Sequence, residues 1–401
     1  MAQDLSPAQR TLTVGVLGAG TVGSQVIRLL TEQADDFAAR SGARLEITGV
    51  AVRDVNAPRD FAVPQDLLTD DATAVATGND LVIELIGGIE PARTLILAAF
   101  KAGASVITGN KALIAAHGPE LYTAAAAAGT DFYYEAAVAG AIPVVYALRE
   151  SMAGDRVTSV LGIVNGTTNY ILDEMSTKGL SFETALATAQ ELGYAEADPT
   201  ADDIREAHAS GCELKLLAIA QRREDEHAHG VSVRVHPALV PADHPLASVH
   251  GAYNAVLVEA ESAGRLMFYG QGAGGAPTAS AVLSDVVAAA AHRVNGGQAP
   301  RESSYARLPI LGPEAAVTRY QIQLRVEDAA GSLAAMAGVF ADNEVSINSV
   351  RQSAYVTSDG AAVVTFVTHP APVFHLDAAV EGLRASDRVM EVVSVRRVEG
   401  Q

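Results

Sequence analysis

The stretch TLTVGVLGAGTVG, from Thr11 to Gly23, decides the fold that we expect for this chain. Its first half is apolar and rich in β-branched residues, which is typical of a buried strand. Its second half carries the GxGxxG spacing at Gly18, Gly20 and Gly23. That spacing is a weak signal alone, but between a strand and a helix it predicts a turn where a pyrophosphate approaches the helix N-terminus. The alternative is a purely structural turn.

Strand and helix patterns alternate along the segments that follow this turn. The expected strands are 45–53, 80–86, 104–108 and 132–137, and the expected helices are 22–40, 91–102 and 118–128. Such alternation is typical of a parallel sheet covered by helices. The sequence therefore predicts an α/β fold with a Rossmann-type dinucleotide-binding domain over residues 1–148.

The pattern changes after residue 148. Residues 149–300 mix strands and helices in the manner of an α+β domain. The family resemblance given below assigns this domain to substrate binding and dimerisation. Residues 301–318 are rich in Gly, Pro and Ser and indicate a linker. The tail, 319–401, has the order strand, helix, strand, strand, helix, strand, so a small βαββαβ domain is expected there.

Composition and charge restrict the classes of partner. The chain has 401 residues and a formal net charge of −19, with 28 basic against 47 acidic side chains. Because phosphate neutralisation needs a basic surface, nucleic acid is not an expected partner. No apolar stretch has the roughly 20 residues that span a bilayer, and the first ten residues lack an apolar signal core. With Cys212 as its single cysteine, the chain fits the cytoplasm.

The end of the second predicted strand bears on the choice of dinucleotide. An acidic residue at this place favours NAD, and an arginine accommodates the 2′-phosphate of NADP. The chain carries both, Arg53 and Asp54. We expect NADP because of Arg53, with NAD as the alternative. The structural interpretation is that Arg53 and Asp54 pair with each other at the surface and do not contact a dinucleotide.

The second cluster with candidate chemistry is Thr108-Gly-Asn-Lys111, which follows a predicted parallel strand at its carboxyl end. Open α/β sheets bind their ligands at that edge. The chain has four lysines in all, so a lysine at this place is a candidate for holding a substrate oxygen or lying near a nicotinamide. An ordinary solvated charge is the other interpretation of Lys111.

Four further segments have weaker signals. Glu135 precedes small residues whose carbonyl oxygens suit a hard cation, although a buried strand end explains the same pattern. The polar run from Asn165 through Thr167 to Asn169 either caps a helix or binds a polar ligand. The carboxylates between Gly193 and Asp202 either bind an ammonium group or form a solvated loop. The glycines around Gly274 precede a predicted helix that could face the cofactor.

Taken together, these motifs resemble the homoserine dehydrogenases of the long form, which end in an ACT domain. The matching stretches run in order along nearly the whole chain: VGVLGAGTVG, VIELIGGIEPA, ITGNKALIA, YEAAVAGAIPVV, GIVNGTTNYIL, ELGYAEADPTAD, RVHPALVP and LMFYGQGAGGAPTAS. The tail, with DAAGSLAAMAGVFADNEVSINSVRQ, resembles an ACT domain, a module that often binds amino acids.

The resemblance implies reduction of L-aspartate 4-semialdehyde to L-homoserine by NADPH or NADH, a step of threonine and methionine biosynthesis. It assigns one set of residues to the cofactor: Gly18, Gly20, Thr21, Val22, Gly23, Lys111, Gly193 and Gly274. It makes Lys111 a candidate catalytic residue and Glu196 a contact of the substrate amino group. It matches Glu135, Val138, Gly140 and Ile142 to a monovalent cation site, normally sodium. A homo-oligomer and an amino-acid effector at the tail are also implied.

The chain departs from the family pattern at one place. Members of the family continue from a stretch like DPTAD into a segment bearing an Asp and, four residues on, a Lys that is the presumed proton donor. Here Asp202 is followed directly by Asp203 and a stretch that resembles a part further downstream. We therefore expect an internal deletion after Asp202. Lys215 is expected to be an ordinary strand lysine, and a replacement for the missing proton donor is the alternative. A relative that binds dinucleotide and amino acid without efficient turnover is the alternative to a fully active enzyme.

Overall fold

The computed structural model describes residues 10–59, 61, 63–181, 184–185, 201–225, 228–297, 308–356 and 361–400. Contacts divide the chain into two compact units. The first unit comprises residues 1–154, 253–255 and 268–306, and the second comprises residues 155–252, 256–267 and 307–401. Residues 268–300 thus group with the first unit, whereas the sequence predicts them in the second domain. None of the described helices is long and apolar enough to cross a membrane.

The first unit is built on a parallel sheet. Its strands are β1 Thr11–Leu17, β2 Arg44–Ala51, β3 Leu68–Thr69, β4 Leu81–Glu84, β5 Ser105–Thr108 and β6 Phe132–Tyr133. They lie in the order β3-β2-β1-β4-β5-β6, with every neighbouring pair parallel. The order reverses between β1 and β4, and such a switch point opens a crevice at the carboxyl ends of the strands.

Helices cover this sheet. They are α1 Thr21–Glu32, α2 Ala34–Ser41, α3 Ala72–Thr77, α4 Ala92–Lys101, α5 Lys111–Ala128, the short α6 Val144–Tyr146 and, much later in the chain, α9 Gly275–Asn295. Apolar residues of α9, among them Val282 and Val286, belong to the same buried core as Val14 and Val16 of β1. This packing explains why residues 268–306 group with the first unit.

Three predicted elements of this unit differ from those observed. The helix expected over 118–128 begins seven residues earlier, at Lys111. The single helix expected over 22–40 is two helices, because Gln33 has φ −116° and ψ 28° and lies outside helical geometry. The strand expected over 132–137 ends at Tyr133, because Glu135 begins a 3₁₀ turn. The strands expected at 45–53, 80–86 and 104–108 are confirmed within a few residues.

The second unit combines a mixed sheet with helices. Its strands, two of which extend into the first unit, are β7 Val157–Ile163, β8 Cys212–Glu224, β9 His229–Pro241, β10 Tyr253–Ala260, β11 Gly264–Gln271, β12 Ile310–Leu311, β13 Val317–Glu327, β14 Ile347–Val356, β15 Ala361–Thr368, β16 Ala371–Pro372 and β17 Val389–Val398. Its helices are α7 Gly166–Lys178, α8 Ala201–Ala209, α10 Ser332–Asp342 and α11 Val373–Arg384. The main path of the sheet is β11-β10-β7-β8-β9-β17-β13-β15-β14.

The tail has the predicted order of strands and helices, with the two-residue β16 added before α11. It joins the rest of the sheet where β17 pairs in parallel with β9, Arg397 beside Ala238. The predicted linker, 301–318, is partly regular: Ile310 and Leu311 pair with β9, and β13 already begins at Val317.

Candidate active site

The glycine turn lies at the switch point of the first sheet, between the carboxyl end of β1 and the start of α1. Gly18 has φ +100°, and a Cβ there would lie 2.8 Å from the carbonyl oxygen of Leu85. A Cβ at Gly23 would lie 2.1 Å from the carbonyl oxygen of Gly18. Gly20, by contrast, has open space around it and precedes α1 without a side-chain cap. The first N–H groups of α1 therefore face a space that an anion can enter.

A cleft of about 670 Å³ opens beside this turn. Its described lining residues are Gly18, Ala19, Gly20, Ala51, Val52, Arg53, Asp54, Ala57, Pro58, Arg59, Asp70, Ala72, Leu85, Ile86 and Pro91. The volume is that of a site for a ligand of cofactor size. A lining that combines glycine backbone, apolar side chains and charged side chains fits a dinucleotide.

The far end of the cleft carries Arg53, Asp54 and Arg59. Asp54 accepts a hydrogen bond from the backbone N–H of Asn56 at 2.8 Å, and Arg53 makes no hydrogen bond or ion pair with the described residues. The pairing of Arg53 with Asp54, which was the structural interpretation, is thus not observed. Arg59, which the sequence analysis missed, donates to the carbonyl oxygens of Asp54 and Ala57 at 2.5 and 2.8 Å.

Lys111 is the first residue of α5, immediately after the carboxyl end of β5, and its side chain is exposed. Its ammonium group makes no hydrogen bond or ion pair with the described part of the chain. A cation in the first turn opposes the helix dipole, so helix stability does not explain a lysine there. Asn110 caps the helix by accepting the N–H of Leu113 at 3.1 Å.

A buried carboxylate fixes the backbone beside Lys111. Glu84, at the end of β4, is fully buried and accepts the hydroxyl of Thr108 at 2.6 Å. Its other oxygen accepts the backbone N–H of Ile86 at 2.8 Å. Glu84 thus joins the ends of β4 and β5, the two strands that border the cleft and Lys111. The sequence alone gives Glu84 no role, because its side-chain partner Thr108 lies on another strand.

Glu135 is buried, and its carboxylate caps α6. One oxygen accepts the N–H of Val145 at 2.8 Å and the other accepts the N–H of Tyr146 at 2.9 Å. Burial raises the pKa of Glu135, and these backbone hydrogen bonds oppose the shift. Its own N–H donates to Asp285 of α9 at 2.9 Å. Burial raises the pKa of Asp285 well above its ordinary value.

The turn after Glu135 is held in left-handed geometry. Ala139 has φ 59° and Gly140 has φ 70°, and a Cβ on Gly140 would lie 2.2 Å from the carbonyl oxygen of Gly272. The carbonyl oxygens of Val138 and Gly140 accept no hydrogen bond from the described residues. Ile142 is buried. Among the described residues, no group of three or more His, Cys, Asp or Glu side chains is placed to hold a metal.

Gly274 precedes α9 with φ +126° and lies in the first unit. A Cβ on the next residue, Gly275, would lie 3.0 Å from the carbonyl oxygen of Thr21. The start of α9 is therefore beside the start of α1, where Thr21 and Val22 follow the glycine turn. The structure thus brings the two glycine-rich segments together.

The second unit contains the remaining candidates that the structure describes. Asn165 is exposed and caps α7 by accepting the N–H of Thr168 at 3.1 Å. The side chain of Thr167, together with all of Gly193 and Glu196, lies outside the described residues. Asn165 thus caps α7, and its contact with a substrate stays a prediction.

Lys215 is buried, which a strand lysine at a surface would not be. It is 2% exposed, and its ammonium donates to the carbonyl oxygen of Val249 at 2.7 Å. Burial lowers its pKa, and Asp173 and Glu213 oppose the shift. Lys215 thus lies in a strand, as expected, but it is not an ordinary strand lysine, because its buried side chain fixes the loop that begins at Val249.

A parallel sheet of this strand order, with a glycine turn at its switch point and a cleft beside it, defines an NAD-binding domain of the Rossmann type. A family model described as "Homoserine dehydrogenase, NAD binding domain" matches residues 18–135. A second model, "Homoserine dehydrogenase", matches in two pieces, residues 143–203 and 200–287.

Relatives and solved structures agree with these models. The homoserine dehydrogenase of Corynebacterium glutamicum is 48% identical over 427 aligned positions, with 96% of this chain and 95% of the relative covered. That of Mycobacterium tuberculosis is 48% identical, with 98% of both chains covered. The crystal structure of a homoserine dehydrogenase from Thiobacillus denitrificans matches with a TM-score of 0.88 at 35% identity, covering 98% of this chain and 99% of that chain. The chain belongs to the homoserine dehydrogenase family.

Proposed function

We propose that the chain interconverts L-aspartate 4-semialdehyde and L-homoserine with a nicotinamide dinucleotide, a step of threonine and methionine biosynthesis. One observation carries this reaction: the open Gly20 turn and its cleft lie in a chain 48% identical, along nearly its whole length, to homoserine dehydrogenases. The purified chain should show homoserine-dependent reduction of the dinucleotide, followed by nicotinamide absorbance. No turnover by a folded chain that still binds the dinucleotide would refute an active enzyme.

We assign the reaction roles to named side chains. When bound, the nicotinamide supplies or accepts the hydride, and Gly18, Gly20, Thr21, Val22, Gly23, Gly193 and Gly274 hold the dinucleotide. Lys111 binds or polarises the substrate oxygen; its exposed ammonium, free of other described partners, supports this role. Glu196 binds the substrate ammonium. Asn165 and Thr167 complete the substrate site.

We propose NADP rather than NAD as the preferred dinucleotide. The guanidinium of Arg53 lines the cleft and has no described partner, so it is available to a 2′-phosphate. Arg59 lines the same end of the cleft and adds positive charge. A chain of net charge −19 needs such local positive groups to hold an anionic cofactor.

We propose a sodium site in the turn formed by Glu135, Val138, Gly140 and Ile142. The carbonyl oxygens of Val138 and Gly140, which lack hydrogen-bond donors among the described residues, support it because sodium prefers oxygen ligands. The Glu135 carboxylate accepts two backbone N–H groups, which favour its charged form. The charged form adds negative charge to the turn, and negative charge attracts a cation. Activity should rise with sodium chloride and not with an equal concentration of choline chloride. Equal activity in both salts would exclude the site.

We also propose that a segment bearing the proton donor is missing between Asp202 and Asp203, so that turnover is slow. Two findings support the missing segment, and the slow turnover is what its loss predicts. The family model matches in two pieces that meet at residues 200–203. The alignment with the Corynebacterium glutamicum relative has 427 positions, more than the 401 residues of this chain, and therefore includes positions where this chain has no residue.

We propose that the tail is an ACT domain that binds an amino-acid effector, with threonine as the first candidate. The βαββαβ order of its strands and helices supports this regulatory role. We further propose a homo-oligomer that works in the cytoplasm. The stacked rings of Tyr253 and Tyr269 and the exposed side chains of Leu266 and Met267 on β10 and β11 are the surface that supports association.

A further inference from the structure

The loop 85–91, which connects β4 with α4, forms one wall of the dinucleotide cleft and contributes Ile86 and Pro91 to its lining. Packing gives the middle of this loop little support. Gly87 and Gly88 have φ +78° and +75°, and apart from chain neighbours no atom lies within 4 Å of where a Cβ on either residue would be. Hydrogen bonds from neighbouring elements, and not packing, therefore hold this wall of the cleft.

Two buried polar side chains supply those hydrogen bonds. Glu84 accepts the N–H of Ile86 at 2.8 Å and so holds the start of the loop. Asn110, which is 5% exposed, donates from its Nδ2 to the carbonyl oxygen of Gly88 at 2.6 Å. The two supports are joined, because the hydroxyl of Thr108 accepts the N–H of Asn110 at 3.0 Å and donates to Glu84 at 2.6 Å.

The amide of Asn110 has a second partner at the start of α5. Its Oδ1 accepts the N–H of Leu113, so its Nδ2 is the atom that faces the carbonyl oxygen of Gly88. A helix cap needs only an oxygen, and Ser, Thr or Asp supplies it about as well as Asn. Of these residues, asparagine alone places an acceptor and a donor on two separate atoms. Capping therefore does not explain why this position carries an asparagine.

The position of Asn110 connects this amide to the chemistry. The next residue, Lys111, is the first of α5. One side chain thus fixes both a wall of the cleft and the helix start that carries Lys111. Transfer between two bound reactants depends on their alignment, and a displacement of about 1 Å costs about 10²-fold in rate.

We propose that Asn110 is a positioning residue for the reaction. Its amide holds the 85–91 loop against the start of α5 and so keeps the cleft wall at a fixed distance from Lys111. The inference rests on the proposed function, since it takes the cleft to hold the dinucleotide and Lys111 to bind the substrate oxygen. Asn110 itself needs no contact with either ligand.

Asn110→Ser separates the two bonds of the amide. The serine hydroxyl still caps α5 but is too short to reach Gly88, so the urea midpoint of unfolding should stay that of the wild type. The kcat for homoserine oxidation should fall at least about tenfold, because the reactants are no longer aligned. The dissociation constant for NADPH should change less than about threefold, because the phosphates are held at the start of α1. The deuterium isotope effect on kcat, with homoserine deuterated at C4, should be as large as in the wild type or larger, because the step that slows is hydride transfer.

Asn110→Asp is the second variant, and it also keeps the test valid if Asn110→Ser does not fold. An aspartate caps the helix but turns an oxygen toward the carbonyl oxygen of Gly88. Both variants should lower kcat, which separates loss of this bond from the charge that aspartate adds. Asn343→Ser is the matched control. It removes a bond of the same kind, from Nδ2 to the carbonyl oxygen of Val339 at 2.8 Å, in the tail, and should leave kcat unchanged.

Hydrogen–deuterium exchange tests the bond to Gly88 without relying on turnover. The backbone N–H groups of residues 86–89 should exchange faster in both Asn110 variants than in the wild type, whereas the capped N–H of Leu113 should not. Unchanged exchange in the loop, a kcat equal to that of the control, or a smaller isotope effect would overturn the positioning role.

Failure of the proposed function has a different result. A wild type that binds NADPH and does not oxidise homoserine refutes the proposed reaction. The role of Asn110 then depends on whether NADPH slows the exchange of residues 86–89 more in the wild type than in the two variants. Equal slowing in all three proteins would overturn it.

Discussion

A Cβ at position 23 would lie 2.1 Å from the carbonyl oxygen of Gly18, so the two ends of the glycine turn touch through their backbones. This distance is far below any ordinary contact, and the atom it meets is backbone that cannot turn aside. The close packing of β1 on α1 thus depends on Gly23. Gly20, two residues from Gly18, has no atom within 4 Å of where its Cβ would be.

Substitution by alanine should therefore affect stability at Gly23 and dinucleotide binding at Gly20. Gly23→Ala should destabilise the first unit by about 1–3 kcal/mol through overpacking. Gly20→Ala should leave the free energy of unfolding within about 1 kcal/mol but weaken dinucleotide binding, because the methyl group projects where the phosphates approach. Urea unfolding and fluorescence titration with NADPH measure the two effects. Equal loss of stability in both variants would contradict the geometry.

Lys111 is predicted to act on the substrate and not on the fold. Lys111→Met should reduce kcat/KM by about 10- to 100-fold, the value of a charge-assisted hydrogen bond, with the unfolding transition unchanged. Lys101→Met is the matched control, since Lys101 is also exposed but lies in the last turn of α4, where a cation is favourable. Similar kinetics for the two variants would remove Lys111 from the site.

Arg53 is predicted to select NADP. Arg53→Ala should raise the KM for NADPH by about tenfold and leave that for NADH almost unchanged, because only NADPH has the 2′-phosphate. Arg44→Ala, an exposed arginine at the start of β2, is the control. Steady-state kinetics with both dinucleotides provide the ratio. If Arg59→Ala changed the preference and Arg53→Ala did not, the residue that the sequence analysis missed would be the one that binds the phosphate.

The three predictions above concern residues whose positions follow from the sequence immediately around each of them. Gly18, Arg53 and Lys111 lie within three residues of the carboxyl ends of β1, β2 and β5. The local pattern and the rule for parallel sheets therefore predict the edge of the sheet at which they lie. Glu84 and Asp285 were not found, because their roles depend on partners in other elements: Thr108 for Glu84 and the N–H of Glu135 for Asp285.

Contacts with distant parts of the chain also explain why some helices and strands were predicted wrongly. The strand expected through Ala137 stops at Tyr133 because Glu135 turns to cap α6, a contact ten residues away that strand propensity does not contain. The helix α9 was assigned to the second domain because it follows those strands in sequence, whereas its apolar face packs on β1. The order of elements was predictable, and the partners across the chain were not.

A buried ion pair predicts how stability depends on pH. Glu399 accepts from Arg234 at 3.1 Å and from Thr318 at 2.9 Å. Burial alone raises the pKa of Glu399, but His236, Arg234 and Thr318 outweigh it, so the net pKa is lowered. A lowered carboxyl pKa contributes stability above the unfolded pKa of about 4.3, and this contribution is lost as the pH falls through the folded value.

Glu399→Gln should therefore destabilise the second unit by about 3–5 kcal/mol at neutral pH, since Arg234 is left buried without its charge partner. The difference from the wild type should shrink as the pH falls below about 4. Glu391→Gln removes an exposed pair with Arg325 and should cost about 0–1 kcal/mol. Urea unfolding at several pH values measures both. A constant difference across the pH range would show that Glu399 acts through packing alone.

The junction at Asp202 and Asp203 gives the sharpest prediction about activity. These residues fall in the first turn of α8. The missing segment that we propose, with its proton donor, belongs between them. Reduction of the aldehyde leaves an alkoxide that needs a proton, and a positioned general acid contributes about 10²–10⁴-fold. Inserting the corresponding segment of the Corynebacterium glutamicum relative between Asp202 and Asp203 should raise kcat by that factor. A flexible insert of equal length should not. If the chain without any insert turns over as fast as that relative, the proton comes from a group already present, and the buried Lys215 is the first to test by Lys215→Met.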